Sequence, residues 1–275
     1  MIRAALRRAS RLPIGAILVA LYVLAGLLGP LLAPYDPEAI DLRHQFAAPS
    51  ARHLLGTADN GVDILSVLLY GARLGLVVGA SVVGASVVIG TVLGVVAGYY
   101  GGRVDQGFTS LADLVQAFPS IVLNIAILAM IARPGVAHVI FALAANGWVL
   151  YARIARAQAL ALRDREFVEA ARAIGASDAR VLAKHVVPNL LGPLVVQATA
   201  GFGGVVLAES TLSFLGLGPS TGASWGALLD QGSAVLLRFP HVALFAGSAI
   251  ALTVLGWNLA GDRLRDRLDP RNASN

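Results

Sequence analysis

The sequence lacks cysteine and is poor in charge. None of its 275 residues is cysteine, and Asp, Glu, Lys and Arg together make up only 13%, whereas a soluble domain carries about 25%. The first absence excludes a disulfide framework and thiol chemistry, and leaves the redox compartment open. The second excludes an ordinary soluble globule, because 57% apolar residues would leave such a domain without enough polar surface.

Two motifs for enzyme chemistry are also missing. No GxxxxGK[ST] phosphate loop is present, so we do not expect the chain to hydrolyse ATP in the P-loop manner by itself. The HExxH motif of zinc proteases is absent, and the five histidines are scattered along the chain. We therefore predict no catalytic residue, no metal site and no cofactor bound by this chain.

Long apolar runs are what the sequence does have. Spanning a bilayer takes about 20 helical residues, and lipid offers backbone groups no partner outside the segment, which favours helices. The runs also lack the apolar/polar alternation of barrel strands. The sequence predicts an all-α integral membrane protein with six transmembrane helices, three in uncharged runs (14–33, 74–98 and 242–261) and three in weaker ones (114–132, 135–152 and 189–217).

The basic residues sort by side of the membrane. With the N-terminus inside, 16 of the 21 Lys and Arg fall on predicted cytoplasmic segments, as the positive-inside rule requires. The net charge of +5 therefore reports topology and not nucleic-acid binding, and both termini are expected in the cytoplasm. The first run is too long for a signal peptide and is followed by Pro34, so we expect an uncleaved first span.

The predicted organisation has three parts. Residues 1–73 comprise a cytoplasmic tail, the first span and an external segment at 34–73, which either contacts a partner or caps the membrane domain, or is a surface linker. Residues 74–262 form a five-helix core, and 263–275 a cytoplasmic tail. Within the core, the charged but Ala-rich loop at 155–188 predicts a helix, a turn at Gly175 and a second short helix starting at Asp178.

Several residues inside the spans are candidates for packing or transport. Glycines at 75, 79, 90, 94 and 98 predict close helix contacts. Pro119 in span three, and Gly192 and Pro193 in span five, indicate interrupted helices that either line a pore or only kink. Glu209 is an intramembrane carboxylate, either facing a cavity or pairing with Arg73 or with backbone. His138 and Asn146 are expected to make interhelical hydrogen bonds.

One motif carries a family resemblance. Glu169-Ala170-Ala171, followed by Gly175 and then Pro188, resembles the EAA loop of binding-protein-dependent ABC importer permeases. Five further stretches are similar to the C-type permeases of dipeptide, oligopeptide and nickel importers, namely 53–76, ADLVQAFPSIVL (112–123), WVLYARIARAQ (148–158), ESTLSFLGLG (209–218) with SWG (224–226), and 252–271.

The resemblance implies a type I ABC importer permease fold in the bacterial inner membrane. It also implies partners: a second homologous permease, two ATP-binding subunits that carry ATP and Mg, an external solute-binding protein, a peptide substrate and membrane lipid. The EAA loop would couple the chain to the ATPases during alternating access, through Glu169, Ala170, Ala171, Arg172, Gly175 and Asp178. The stretch around Trp225 would belong to an external gate, unless Trp225 is an interfacial anchor; Glu209, Phe214 and Pro119 are the other pore or gate candidates.

Three alternatives remain at this stage. Within the family, the cargo could be a nickel chelate, haem or another small solute instead of a dipeptide or oligopeptide. A secondary transporter would normally place several ionisable groups near the bilayer midplane, whereas this chain offers one carboxylate and no obvious repeat. A membrane enzyme is the third alternative.

Overall fold

The computed structural model describes residues 12–220 and 222–268. Residues 1–11 of the predicted N-terminal tail, and residues 269–275 of the C-terminal tail predicted at 263–275, lie outside these ranges. Residues 263–268 of that tail instead continue the last helix. Within them the chain is helical and contains no β-strand. The helices are α1 (Leu12–Leu32), α2 (Ile64–Tyr100), α3 (Gly102–Gln116), α4 (Ser120–Ala129), α5 (Val136–Leu162), α6 (Glu166–Ala173), α7 (Asp178–Phe214), α8 (Trp225–Ala234) and α9 (Pro240–Leu268).

Five helices, α1, α2, α5, α7 and α9, are long and apolar enough to cross a membrane. Helices α3 and α4 are apolar enough only as a pair, bent by 74°, which brings the number of candidate spans to six when the pair is counted as one. The all-helical fold with six spans is therefore confirmed for the described part of the chain, with the bent pair taken as one span. Helix α2 is central and packs against α1, α5, α7 and α9.

Helix α2 begins at Ile64, so the external segment predicted at 34–73 ends sooner than expected. Asp63 caps the helix, with Oδ2 accepting from the Ser66 backbone N at 2.9 Å. Arg73, which interrupts the apolar run, lies exposed on the helix surface. With 37 residues, α2 is about 55 Å long, against a hydrocarbon core of about 30 Å. Its ends therefore project beyond the apolar layer.

The third span is broken where Pro119 stands. The proline ring disfavours helical backbone at the preceding residue, so α3 ends at Gln116 and α4 starts after Pro119, its N-cap. The stretch 99–106 is mostly helix, and the chain turns there at Gly101 (φ 65°) and Gly102 (φ 54°). Two ion pairs fasten α3 to α5, Arg156 with Asp105 and Arg153 with Asp113.

Span five is continuous despite its glycines and prolines. Helix α7 runs through Gly192 and Pro193 to Phe214 without a break, contrary to the interrupted helix that the sequence indicated. Its irregularity lies earlier, in a π-helical turn at Leu182–Val186. An α-helical path would push the ring of Pro188 against the carbonyl of Lys184, and the wider turn relieves that clash.

The predicted glycine face of α2 is confirmed. A Cβ at Gly90, Gly94 or Gly98 would collide with backbone oxygens of α5, at Trp148, Ala152 and Arg156. Gly75 and Gly79 instead make room for Tyr22 of α1 and Phe202 of α7. Small residues therefore let three helices approach the α2 backbone closely.

Interhelical polar contacts are only partly as expected. Asn146 Nδ2 donates to Asn124 Oδ1 of α4 at 2.6 Å, which confirms one predicted bond. The expectation for His138 is wrong, because its Nδ1 accepts from the Gly135 backbone N at 3.0 Å, within the same helix start. That residue closes the first turn of α5, where backbone N–H groups lack helical partners.

The connecting segment, residues 33–63, folds back on the bundle. His53 Nδ1 lies 2.9 Å from Asp63 Oδ1, and the Tyr35 backbone N donates to Ser66 Oγ at 3.1 Å. Glu38 Oε1 accepts from the Gly222 backbone N at 3.0 Å, so the segment also reaches the loop before α8. The segment is anchored at several points, which the linker alternative did not anticipate.

Candidate functional sites at the two ends of the bundle

The first site is the EAA loop, residues 163–177 between α5 and α7. Helix α6 turns Val168 and Ala171 inward, where they pack with Val181 and Val186 of α7. Glu169, Ala170 and Arg172 are exposed. Ala171 thus faces the chain's own core, whereas the resemblance implied that it contributes to the contact with an ATPase subunit.

The predicted helix, turn and helix are confirmed here. Gly175 has φ +84°, a left-handed conformation that glycine adopts without the penalty of a Cβ. The Ala176 backbone N donates to the Ala171 carbonyl at 3.0 Å and the Gly175 N to the Arg172 carbonyl at 2.9 Å, closing the end of α6. The second helix is not short, however, because α7 continues from Asp178 into the membrane.

Asp178 does not cap this helix. Ser177 holds the N-cap position, and Asp178 Oδ1 instead accepts from the Tyr99 hydroxyl at 2.6 Å. Arg172 Nε donates to the same hydroxyl at 3.3 Å, a hydrogen bond that raises the pKa of Arg172. Sequence reasoning missed Tyr99, because nothing in its spacing indicates that the last turn of α2 meets the EAA loop.

A feature of α6 that the sequence reasoning also missed is its exposed apolar face. Phe167 is 42% exposed and Ile174, at the turn, is 87% exposed. With Ala170 they are spaced three and four residues apart, which places them on one side of a helix. No ion pair involves Glu169 beside them in the part of the chain that the structure describes.

The second site lies at the opposite end, around Glu209. This side chain is only 3% exposed, and Arg73 is not its partner. Ser213 Oγ donates to Glu209 Oε1 at 2.7 Å, Ser224 Oγ to the same oxygen at 3.2 Å, and Ser210 Oγ to Oε2 at 3.4 Å. We call this the Glu209 cluster; it joins the end of α7 to the start of α8.

Residues 222–226 read Gly-Ala-Ser-Trp-Gly, which formally matches the GxSxG pattern of serine hydrolases. Ser224 is the N-cap of α8, accepting from the Gly226 backbone N at 3.2 Å while donating to Glu209. Ser224 is only 6% exposed, and no histidine of the described residues bonds to it. Its hydroxyl is engaged by the start of α8 and by Glu209, so the geometry does not show the exposed Ser–His pair that this motif has in hydrolases.

Trp225 is not an interfacial anchor. Its ring is 6% exposed, its Nε1 donates to the Leu68 carbonyl of α2 at 2.8 Å, and its ring centroid lies 5.9 Å from that of Tyr22. Gly71 leaves the space that the indole fills. Trp225 therefore packs α8 against α2 in the interior of the chain.

The structure does not bring the remaining two candidates together. Phe214 ends α7 and lines an apolar cavity of about 650 Å³ between α7, α8 and α9, together with Leu229, Ile250 and Asn258. Pro119 is exposed at the bend of the third span. Their roles in a pore or gate stay predictions.

The helical architecture defines the class, a multi-pass membrane protein. Residues 90–274 match the family profile described as the binding-protein-dependent transport system inner membrane component. Residues 4–49 match the N-terminal TM domain of oligopeptide transport permease C. The chain belongs to this family of ABC transport permeases, and the resemblance drawn from the EAA motif is confirmed.

Comparison with individual proteins gives the same family. The chain is 38% identical over 262 residues to the dipeptide transport system permease protein DppC of Alkalihalophilus pseudofirmus, covering 95% of this chain and 86% of that protein. It is 35% identical to the oligopeptide transport system permease protein OppC of Bacillus subtilis, over 94% and 85% of the two chains. Its fold is similar to an inward-facing structure of the MetNI methionine ABC transporter, with TM-score 0.60 and 20% identity, over 73% of this chain and 95% of that one.

Proposed function

We propose that this chain is one pore subunit of an ATP-driven importer of short peptides across the bacterial inner membrane. Its partners are a second homologous permease, two ATP-binding subunits and an external solute-binding protein. Family membership supports the permease role, and the names of the dipeptide and oligopeptide relatives support the cargo. ATP and Mg bind to the ATPase subunits, and this chain supplies the path.

The observation that carries the coupling role is the two-sided EAA helix. Val168 and Ala171 hold α6 to the chain's own core, while Phe167 and Ile174 leave an apolar face uncovered. An exposed apolar patch flanked by charge is typical of a protein interface. Glu169, at the edge of this face, is free to pair with a basic residue of an ATPase.

The topology follows from charge. The EAA loop is rich in Arg, so the positive-inside rule places it, with both termini, in the cytoplasm. The connecting segment and the Glu209 cluster then face the external side, where a binding protein delivers its cargo. The hydrogen bond of Tyr35 to Ser66 of α2 and that of Glu38 to Gly222 support a contact or capping role for the segment.

The proposed mechanism is alternating access. ATP binding closes the two ATPases, the motion passes through α6 and the turn at Gly175, and the spans of the two permeases tilt to receive a peptide from outside. Hydrolysis returns the pore to the inward state. A secondary transporter is disfavoured because the buried carboxylate of Glu209 is bonded to three serines of its own chain.

The test uses the chain tagged and purified with its partners from mild detergent. Replacing Ile174 with Asp puts a charge on the docking face, and we expect the ATPases to be lost from the complex and peptide uptake to stop. The matched control is Leu237→Asp, a fully exposed leucine beyond the far end of α8, which keeps the ATPases. Retention of ATPases and uptake in Ile174→Asp contradicts the proposal.

The cargo is tested on the same complex. Purified with its binding protein in proteoliposomes, it is expected to accumulate labelled dipeptides or oligopeptides when ATP is supplied. Uptake of a nickel chelate or haem in preference to peptides would contradict the peptide cargo and support the alternative one. Uptake without ATP would instead support a secondary transporter.

A further inference from the structure

Tyr99 stands where three parts of the chain meet. It lies in the last turn of α2 and is 5% exposed. Its hydroxyl donates to Asp178, the first residue of α7. The same oxygen accepts from Arg172 of α6, whose guanidinium carbon lies 4.9 Å from the centre of the ring. A phenol hydroxyl has one donor and accepting lone pairs, and both functions are used.

The two partners of Tyr99 lie on opposite sides of the Gly175 turn. Arg172 is in the last turn of α6, before Gly175, and Asp178 is the first residue of α7, three residues after Gly175. One side chain from α2 therefore holds both arms of the EAA loop. Both bonds involve a charged group, and such bonds are about twice as strong as neutral ones.

The end of α2 that carries Tyr99 is itself firmly placed. One residue earlier, Gly98 lies against the Arg156 carbonyl and Ala159 of α5, so α2 and α5 are in backbone contact there. Close-packed interiors transmit displacement because they have little free volume. A shift of α6 that moves Arg172 relative to Asp178 must therefore either move Tyr99 with α2 or break one of its two hydrogen bonds.

We propose that Tyr99 is the positioning residue through which movement of α6 reaches α2. This rests on the proposed coupling function of the EAA loop and names the connection inside this chain that the function requires. Van der Waals contact at Val168 and Ala171 holds α6 in place, and the Tyr99 hydroxyl fixes its orientation relative to α2 and α7.

The test replaces only the hydroxyl. Tyr99→Phe keeps the ring and its contact with the Arg172 guanidinium, and it leaves Asp178 and Arg172 in contact with water, so folding is retained. The matched control is Tyr100→Phe, the same change on a neighbouring side chain that is 53% exposed and has no hydroxyl hydrogen bond given by the structure. Both are made in the complete complex in proteoliposomes.

The expected result is a lower coupling ratio. For Tyr99→Phe, peptide transported per ATP hydrolysed should fall by about tenfold, because the side chain loses both of its hydrogen bonds to charged groups and these partners are exposed to competing water, while the ATPases stay bound. Tyr100→Phe should keep the original ratio. An unchanged ratio in Tyr99→Phe overturns the inference, and so does loss of the ATPases, because the hydroxyl lies away from the docking face.

A second measurement reads the geometry directly. Since the chain has no cysteine, spin labels placed at Ala173→Cys on α6 and Val88→Cys on α2 are unique. The distance distribution between them should broaden in Tyr99→Phe and stay narrow in Tyr100→Phe. If Ile174→Asp retains ATPases and uptake, the coupling function itself fails; if Ile174→Asp behaves as expected and Tyr99→Phe does not, only the role of Tyr99 fails.

Discussion

The end of the bundle that carries α8 and the end that carries the EAA loop hold their acidic side chains differently. At the first, Asp63 and Glu209 are each 3% exposed, and the chain's own hydroxyl, imidazole and backbone groups bond to them. At the second, Glu169 is exposed and in none of the ion pairs of the described residues. The carboxylates of Asp63 and Glu209 are satisfied within the chain, whereas the EAA loop leaves the charge of Glu169 and an apolar face uncovered.

The comparison separates stability from coupling. A buried carboxylate is costly unless its hydrogen bonds are made, so the residues of the α8 end are held in one arrangement. An exposed carboxylate costs nothing to leave unpaired, so the EAA end can exchange water for a partner. Substitution of Asp63 or Glu209 should therefore lower the free energy of unfolding, whereas substitution of Glu169 should lower ATP-driven uptake without that loss of stability.

The largest effect is expected at Asp63. Asp63→Ala removes the cap of α2 and leaves His53 and Ser66 without their acceptor, at a cost of about 3 kcal/mol of unfolding free energy. The control is Asp41→Ala, which disrupts a similar aspartate–histidine contact, with His44, at an exposed site. Thermal unfolding in detergent measures both. Equal losses of stability would remove the distinction between a buried and an exposed carboxylate.

The next effect is expected at the Glu209 cluster. Glu209→Ala leaves the hydroxyls of Ser213 and Ser224 unsatisfied and should cost about 2 kcal/mol. Glu209→Gln keeps an accepting oxygen in the same place and should cost clearly less. The corresponding change at the other end, Glu169→Ala, should leave thermal stability unchanged but lower ATP-driven uptake. Stability loss in Glu169→Ala, or none in Glu209→Ala, would contradict the comparison.

A smaller effect is expected at the turn of the EAA loop. Gly175→Ala places a side chain at φ +84°, which costs about 1 kcal/mol and is confined to the loop. Hydrogen exchange of residues 166–178 should increase while global unfolding stays unchanged. Gly192→Ala, in a helix with open space around its Cβ position, is the control and should not increase exchange.

The sequence by itself determined the class of the protein. Apolar runs of membrane length, the position of the basic residues and the EAA spacing depend only on local composition and order, because a lipid environment constrains each span separately. The glycines at 90, 94 and 98 predicted a packing face for the same reason. The break of the third span at Pro119 could also be predicted, because proline restricts the backbone of the residue directly before it.

Only the tertiary structure decided which side chains meet. Tyr99 and Asp178 are 79 residues apart, Glu209 and Ser224 are separated by a loop, and Trp225 reaches Leu68 on another helix. No local pattern encodes these pairs, because each depends on how spans pack across distant positions. The inward turn of Ala171, the outward turn of Ile174 and the continuity of α7 through Pro193 follow from the same packing.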